Sequence, residues 1–157
     1  MFFKGVIEMN KKITVVLIVI IIVLAAFAGV NLWNSFNSYA RILNANWGID
    51  IPGKCEEEYV KTGEDESFFG DGDRYRILKV DGELIGGSID FESADMISDH
   101  AAEDAATIMD NLKVPYDKRP DMSEIDGYYY QQKDDNDVLI LLYDEEQGLL
   151  YVLEEFI

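Results

Sequence analysis

The side chains of this 157-residue chain that can do chemistry are mostly carboxylates. Asp71-Gly72-Asp73, with Asp65 and Glu66 close by, offers oxygen ligands of the kind calcium takes. A calcium-binding EF-hand loop needs acids at alternating positions, a following Gly and a distant Glu, and the pattern fails here at Tyr75. Asp134-Asp135-Asn136-Asp137 is a second cluster, placed where a hairpin turn is wanted, and Asp and Asn are turn residues in their own right. Asp71 and Asp73 are thus the metal-ligand candidates, set against a plainer reading of both clusters as solvated turns. His100 stands with Asp99, Glu103 and Asp104, a neighbourhood that favours a charged imidazole, although an exposed helix histidine is the simpler reading. Cys55 and His100 make a nucleophile–base pair only if the fold brings them together, and neither an oxyanion loop nor a nucleophile elbow accompanies them.

The aromatic residues suggest contact instead of catalysis. Tyr128-Tyr129-Tyr130 puts rings on both faces of a strand, and Trp33, Phe36, Leu43 and Trp47 fall on one helical stripe. Tyr and Trp dominate interface hot spots, so Trp33, Phe36, Leu43, Trp47, Tyr128 and Tyr130 are the candidate partner-binding residues, with core packing as the alternative. The chain holds no phosphate-binding loop, dinucleotide fingerprint, HExxH or glycosylation sequon, so no catalytic residue and no cofactor is read from it.

Charge is unevenly spread. Residues 51–157 hold 29 of the 31 acids and nine of the 13 bases. Such a surface argues against nucleic acid, whose binding requires Lys/Arg patches to displace counterions, and favours a basic protein or peptide. One Cys rules out an internal disulfide framework and any multi-Cys zinc site.

Residues 13–30 are apolar except for Thr14 and, extended to Trp33, approach the ~20 residues that a membrane helix needs. Lys11 and Lys12 precede the run. The expectation is a transmembrane helix over 13–33 contacting the lipid bilayer, with residues 1–12 cytoplasmic and the remainder outside. The alternative is a signal peptide cut after Ala28 in Ala26-Phe27-Ala28, starting at Met1 or Met9, which would make the chain a secreted protein. Residues 34–53 read as a helical stalk and linker, ended by Gly48 to Gly53. Its stripe either packs on this chain's own domain or drives self-association or partner binding.

Residues 54–157 read as an acidic extracytoplasmic α+β domain. Strands are expected at 58–62, 74–80, 128–133, 138–143 and 149–156, with Asp81-Gly82 turning a hairpin into 83–85 or beyond. Ile97, Ala101, Ala105, Ile108 and Leu112 mark one amphipathic helix, capped by Ser93 or Ser98 and stopped by Pro115. The continuously apolar 138–142 calls for cover on both faces and a mid-sheet position. The expected fold is therefore α+β: an N-terminal transmembrane helix continuing into a short stalk, then an antiparallel sheet of five or six strands with one covering helix.

The MNKK-then-apolar start, the FGDGDRY stretch at 69–75 and the terminal YY…LILLYDEE…LYVLEE pattern resemble the small, uncharacterised N-terminally membrane-anchored or secreted proteins of Gram-positive bacteria. That resemblance implies an exported domain and brings no activity or site residue with it. The expected function is a single-pass membrane protein presenting an acidic binding domain to a basic protein or peptide, as an immunity-type protein or an envelope-complex component. An envelope hydrolase or metal-dependent enzyme using clustered carboxylates is the alternative class.

Overall fold

The structure is a computed structural model, and it describes residues 16–27, 39–52, 54–63, 72–81, 84, 85, 87, 89–133 and 136–157. The chain divides into two compact units, Met1–Ser38 and Tyr39–Ile157. In the first, helix α1 spans residues 16–27, and its apolar side chains, from Val16 to Phe27, are exposed. Among the described residues no helix is long and apolar enough to cross a membrane. This corrects the expected spanning helix at 13–33. The twelve described helical residues, at ~1.5 Å rise, reach roughly 18 Å against a ~30 Å hydrocarbon core, and residues 13–15 and 28–33 of the expected span lie outside the described residues.

The second unit is built on strands β1 (Cys55–Thr62), β2 (Gly72–Val80), β3 (Glu92–Ser93), β4 (Gly127–Gln132), β5 (Val138–Asp144) and β6 (Leu149–Phe156). They form one six-stranded sheet in the order β1-β2-β6-β5-β4-β3, antiparallel at every pairing. Helix α2 (Tyr39–Trp47) precedes the sheet in sequence and helix α3 (Asp99–Asn111) lies between β3 and β4.

The pleat of β5 explains why two layers of cover are needed. All seven of its residues are buried. Leu139, Leu141 and Tyr143 join a core cluster with Tyr39, Leu43 and Trp47 of α2, while Val138, Ile140 and Leu142 join one with Ala105, Ile108 and Met109 of α3. Successive strand residues face opposite sides, so a strand apolar at every position must be covered twice. The expectation of a single covering helix is corrected accordingly. The described part of the stretch read as a stalk supplies the second layer, its stripe packing on this chain's own domain as one of the two readings had it, followed by the buried Ile49 and Ile51.

Local chemistry sets the helix and strand ends. Ser98 caps α3, its Oγ accepting from the Ala101 backbone N–H at 3.1 Å. At the other end Arg119 donates to the Val114 and Met109 carbonyls and pairs with Asp110 at 2.7 Å, placing a cation where the helix dipole favours one. Gly148 turns β5 into β6 at φ +61°, and a Cβ there would lie 3.2 Å from the Val80 carbonyl oxygen.

Of the hairpin expected at Asp81-Gly82, Gly82 and residue 83 lie outside the described residues, and Leu84 and Ile85 belong to no strand. β2 pairs with β1, Cys55 opposite Val80, and with β6, Gly72 opposite Phe156. Long-range partners thus occupy both edges of β2.

Candidate functional site

Strand β4 carries the three consecutive tyrosines, and its alternation separates them. Tyr128 and Tyr130 face the α3 layer, whereas Tyr129 packs on the α2 side. At the outer end of this strand a pocket of about 290 Å³ is lined by Asp90, Glu92, Ser98, Tyr128, Tyr129 and Tyr130. Asp90 and Glu92 come from the segment that meets β4 only through the two-residue β3, with Glu92 opposite Tyr128. Among the described residues no Lys or Arg lines the pocket.

Its tyrosines are held as neutral phenols. The Tyr128 hydroxyl lies 2.8 Å from a Glu92 carboxylate oxygen and 3.0 Å from the Met96 carbonyl. The hydrogen bond to Glu92, ahead of burial and the Glu92 charge, raises the Tyr128 pKa. Tyr129 is raised by burial and then by Asp90. Tyr130 donates to Asp104 at 3.1 Å, and burial, that bond and the charges of Asp104 and Glu155 push it up to about 12. The resulting chemistry is carboxylates beside aromatic faces, an arrangement suited to an ammonium or guanidinium group.

A second pocket, of about 330 Å³, is lined by Lys61, Thr62, Gly63, Gly72, Asp73, Asn111, Leu112 and Lys113. Asp73 accepts from Asn111 Nδ2 at 2.9 Å and stands opposite Glu155 across the β2–β6 ladder. Burial, then Asp73 and Asp104, raises the Glu155 pKa. Of the metal-ligand candidates, Asp73 is thus engaged with Asn111, and Asp71 lies outside the described residues. Among the described residues no group of three or more His, Cys, Asp and Glu converges to hold a metal.

Other expected contact residues are placed differently. Leu43 is fully buried and Trp47 nearly so, both in the core between α2 and the sheet. Trp33 and Phe36 lie outside the described residues, as do Asp134 and Asp135 of the second acidic cluster. From that cluster, Asn136 takes a left-handed φ of +70°, and Asp137 pairs with Lys133 at 3.7 Å and accepts from the Ile157 N–H. Cys55 packs against the α2-side core while His100 contacts Tyr130 and Asp104 on the α3 side, so the fold does not assemble that dyad. Burial raises the Cys55 thiol pKa, which lowers its thiolate fraction.

The sequence reading missed Asp90, Glu92 and Glu154. Glu154 is completely buried on the α2 side and accepts hydrogen bonds from Tyr39 Oη and, at 2.6 Å, from Trp47 Nε1. A signal was available in its spacing from Leu150 and Val152, the α2-side residues of β6, since period two puts 154 on their face. Asp90 and Glu92 gave no such signal, being ordinary acids in a turn-rich stretch.

No family model, curated protein or solved structure matches this chain.

Proposed function

We propose that the Tyr39–Ile157 unit is a binding module for a basic protein or peptide, which it takes at the pocket of Asp90, Glu92 and the β4 tyrosines. The lining itself carries this reading: two carboxylates and three tyrosines surround a cavity and, among the described residues, no basic residue lines it to neutralise them. A lysine or arginine entering there gains charge pairing with Asp90 and Glu92 and ring contacts with the tyrosines. The net charge of −18 steers such a partner toward the surface and holds acidic macromolecules off it.

Isothermal titration of the full chain with blocked lysine-rich and glutamate-rich peptides tests the proposal. The lysine-rich peptide binds, more weakly as salt rises, and the glutamate-rich one does not. The double variant Asp90→Asn/Glu92→Gln weakens the interaction about ten-fold, in line with the loss of ~1.4 kcal/mol of charge-assisted contact. Equal binding of both peptides, or an unchanged affinity in the double variant, overturns it.

A further inference from the structure

The two ends of the sheet are not equivalent. β1 forms one edge, and it is blunted: Glu56, Glu57 and Glu58 are exposed along it, and the register shifts between Glu57 and Tyr59. Charged side chains and bulges are the usual means by which proteins keep a strand edge from pairing with another chain. At the opposite end the edge strand is β3, which covers only Gly127 and Tyr128 of β4. Tyr129 to Gln132 are paired with β5 on one side and, among the described residues, with no strand on the other. That open stretch reads Tyr-Tyr-Gln-Gln, without a charge, a proline or a register shift. The pocket of Asp90, Glu92 and Ser98 opens where β3 leaves it.

We propose that the outer edge of β4, from Tyr129 to Gln132, accepts an extended segment of a basic polypeptide as a seventh strand. One of its lysine or arginine side chains enters the Asp90–Glu92 pocket. Main-chain hydrogen bonds then supply affinity that is indifferent to sequence, and the pocket supplies the preference for a cation, the division of labour usual when a peptide extends a sheet. Charge selects the occupant. A second copy of this chain would bring another net −18 to an edge already flanked by Asp90 and Glu92, whereas a basic segment complements both. This rests on the binding reading above and specifies how the partner is held.

The test uses the full chain and a blocked, disordered peptide of alternating lysine and valine, alongside the same peptide N-methylated at alternate backbone amides, in both phases. N-methylation removes main-chain donors and leaves the charge intact. The expected result is slowed amide exchange at Tyr129 to Gln132 on binding the plain peptide, and binding at least about ten-fold weaker for the one methylated form whose blocked amides face β4, while the form methylated in the other phase, on amides that face solvent, binds as the plain peptide does. Equal binding of the plain peptide and both methylated forms, with Asp90→Asn/Glu92→Gln still weakening all three, would overturn strand addition while leaving the acidic pocket as the site. Protection at β1 instead of β4, or peptide-independent dimerisation through β4, overturns it as well. No binding of any peptide removes both readings together.

Discussion

Trp47 donates its indole N–H to Glu154 at 2.6 Å, joining residues 107 positions apart. Glu154 has no exposed surface and also receives the Tyr39 hydroxyl, so one carboxylate binds the first and last residues of α2 to the same strand. Cations back the aromatic partners. The Arg76 guanidinium lies 4.2 Å from the Tyr39 ring centre and Lys133 Nζ 4.1 Å from that of Trp47. Burial, followed by the Glu154 charge, pushes the Tyr39 pKa well above its ordinary value, so the phenol stays a donor. A helix with only nine residues has little stability of its own, and this buried network sets its position on the sheet.

Replacing Glu154 with Leu leaves the Tyr39 and Trp47 donors buried without an acceptor. At ~1–3 kcal/mol for each of the two stranded groups, the loss should be about 2–6 kcal/mol in urea denaturation. Tyr39→Phe, which removes one donor only, should cost about 1 kcal/mol. A loss under about 0.5 kcal/mol for Glu154→Leu would show that the network does not hold the helix.

A fragment of residues 39–157 should fold, and one of residues 54–157 should not. The shorter piece lacks Tyr39, Leu43, Trp47, Ile49 and Ile51, all of them buried. At ~1.5–3 kcal/mol per buried apolar side chain, their removal matches or exceeds the ~5–15 kcal/mol stability of an ordinary domain. Circular dichroism melts of the two fragments decide it, and a cooperative melt from 54–157 would mean that α2 is dispensable.

Glu155→Gln should stabilise the protein at neutral pH. Burial and the charges of Asp73 and Asp104 raise the Glu155 pKa in the folded state above its ordinary 4.5. A raised folded value means that the native protein holds this proton more tightly than the unfolded chain does. The associated stability is fully present below 4.5 and is lost as pH rises through the folded value. The variant lacks that loss, so its Tm should exceed the parent's by about 1–3 °C at pH 7, with the gain shrinking toward pH 4. A gain of the same size at both pH values would rule out ionisation as its cause.

Ser98→Ala should cost about 1 kcal/mol, because the Ala101 N–H loses its acceptor at the start of α3. Ser98→Asp, which restores an acceptor, should recover most of that in the same unfolding assay. Failure of Asp to recover it would place the effect of the alanine substitution elsewhere than the cap.

Local patterns in the sequence were enough to locate α3, β4, β5 and β6. Apolar residues four and three apart mark α3, and the unbroken run of β5 already demanded cover on both faces. The acidic surface was likewise legible as composition. The destination of residues 39–51 was not, because an amphipathic stripe looks the same whether it covers its own sheet or another molecule. Strand order was also hidden: β2 meets β6 through Gly72 opposite Phe156, a pairing that depends on the whole chain and on no local signal. The pocket is the same kind of fact. Asp90 and Glu92 acquire their neighbours only when β3 meets β4, and Glu154 becomes a hydrogen-bond hub only when α2 closes over β6. Periodicity reports which side of an element is apolar. What that side meets is set by contacts between distant segments, and only the tertiary structure contains those.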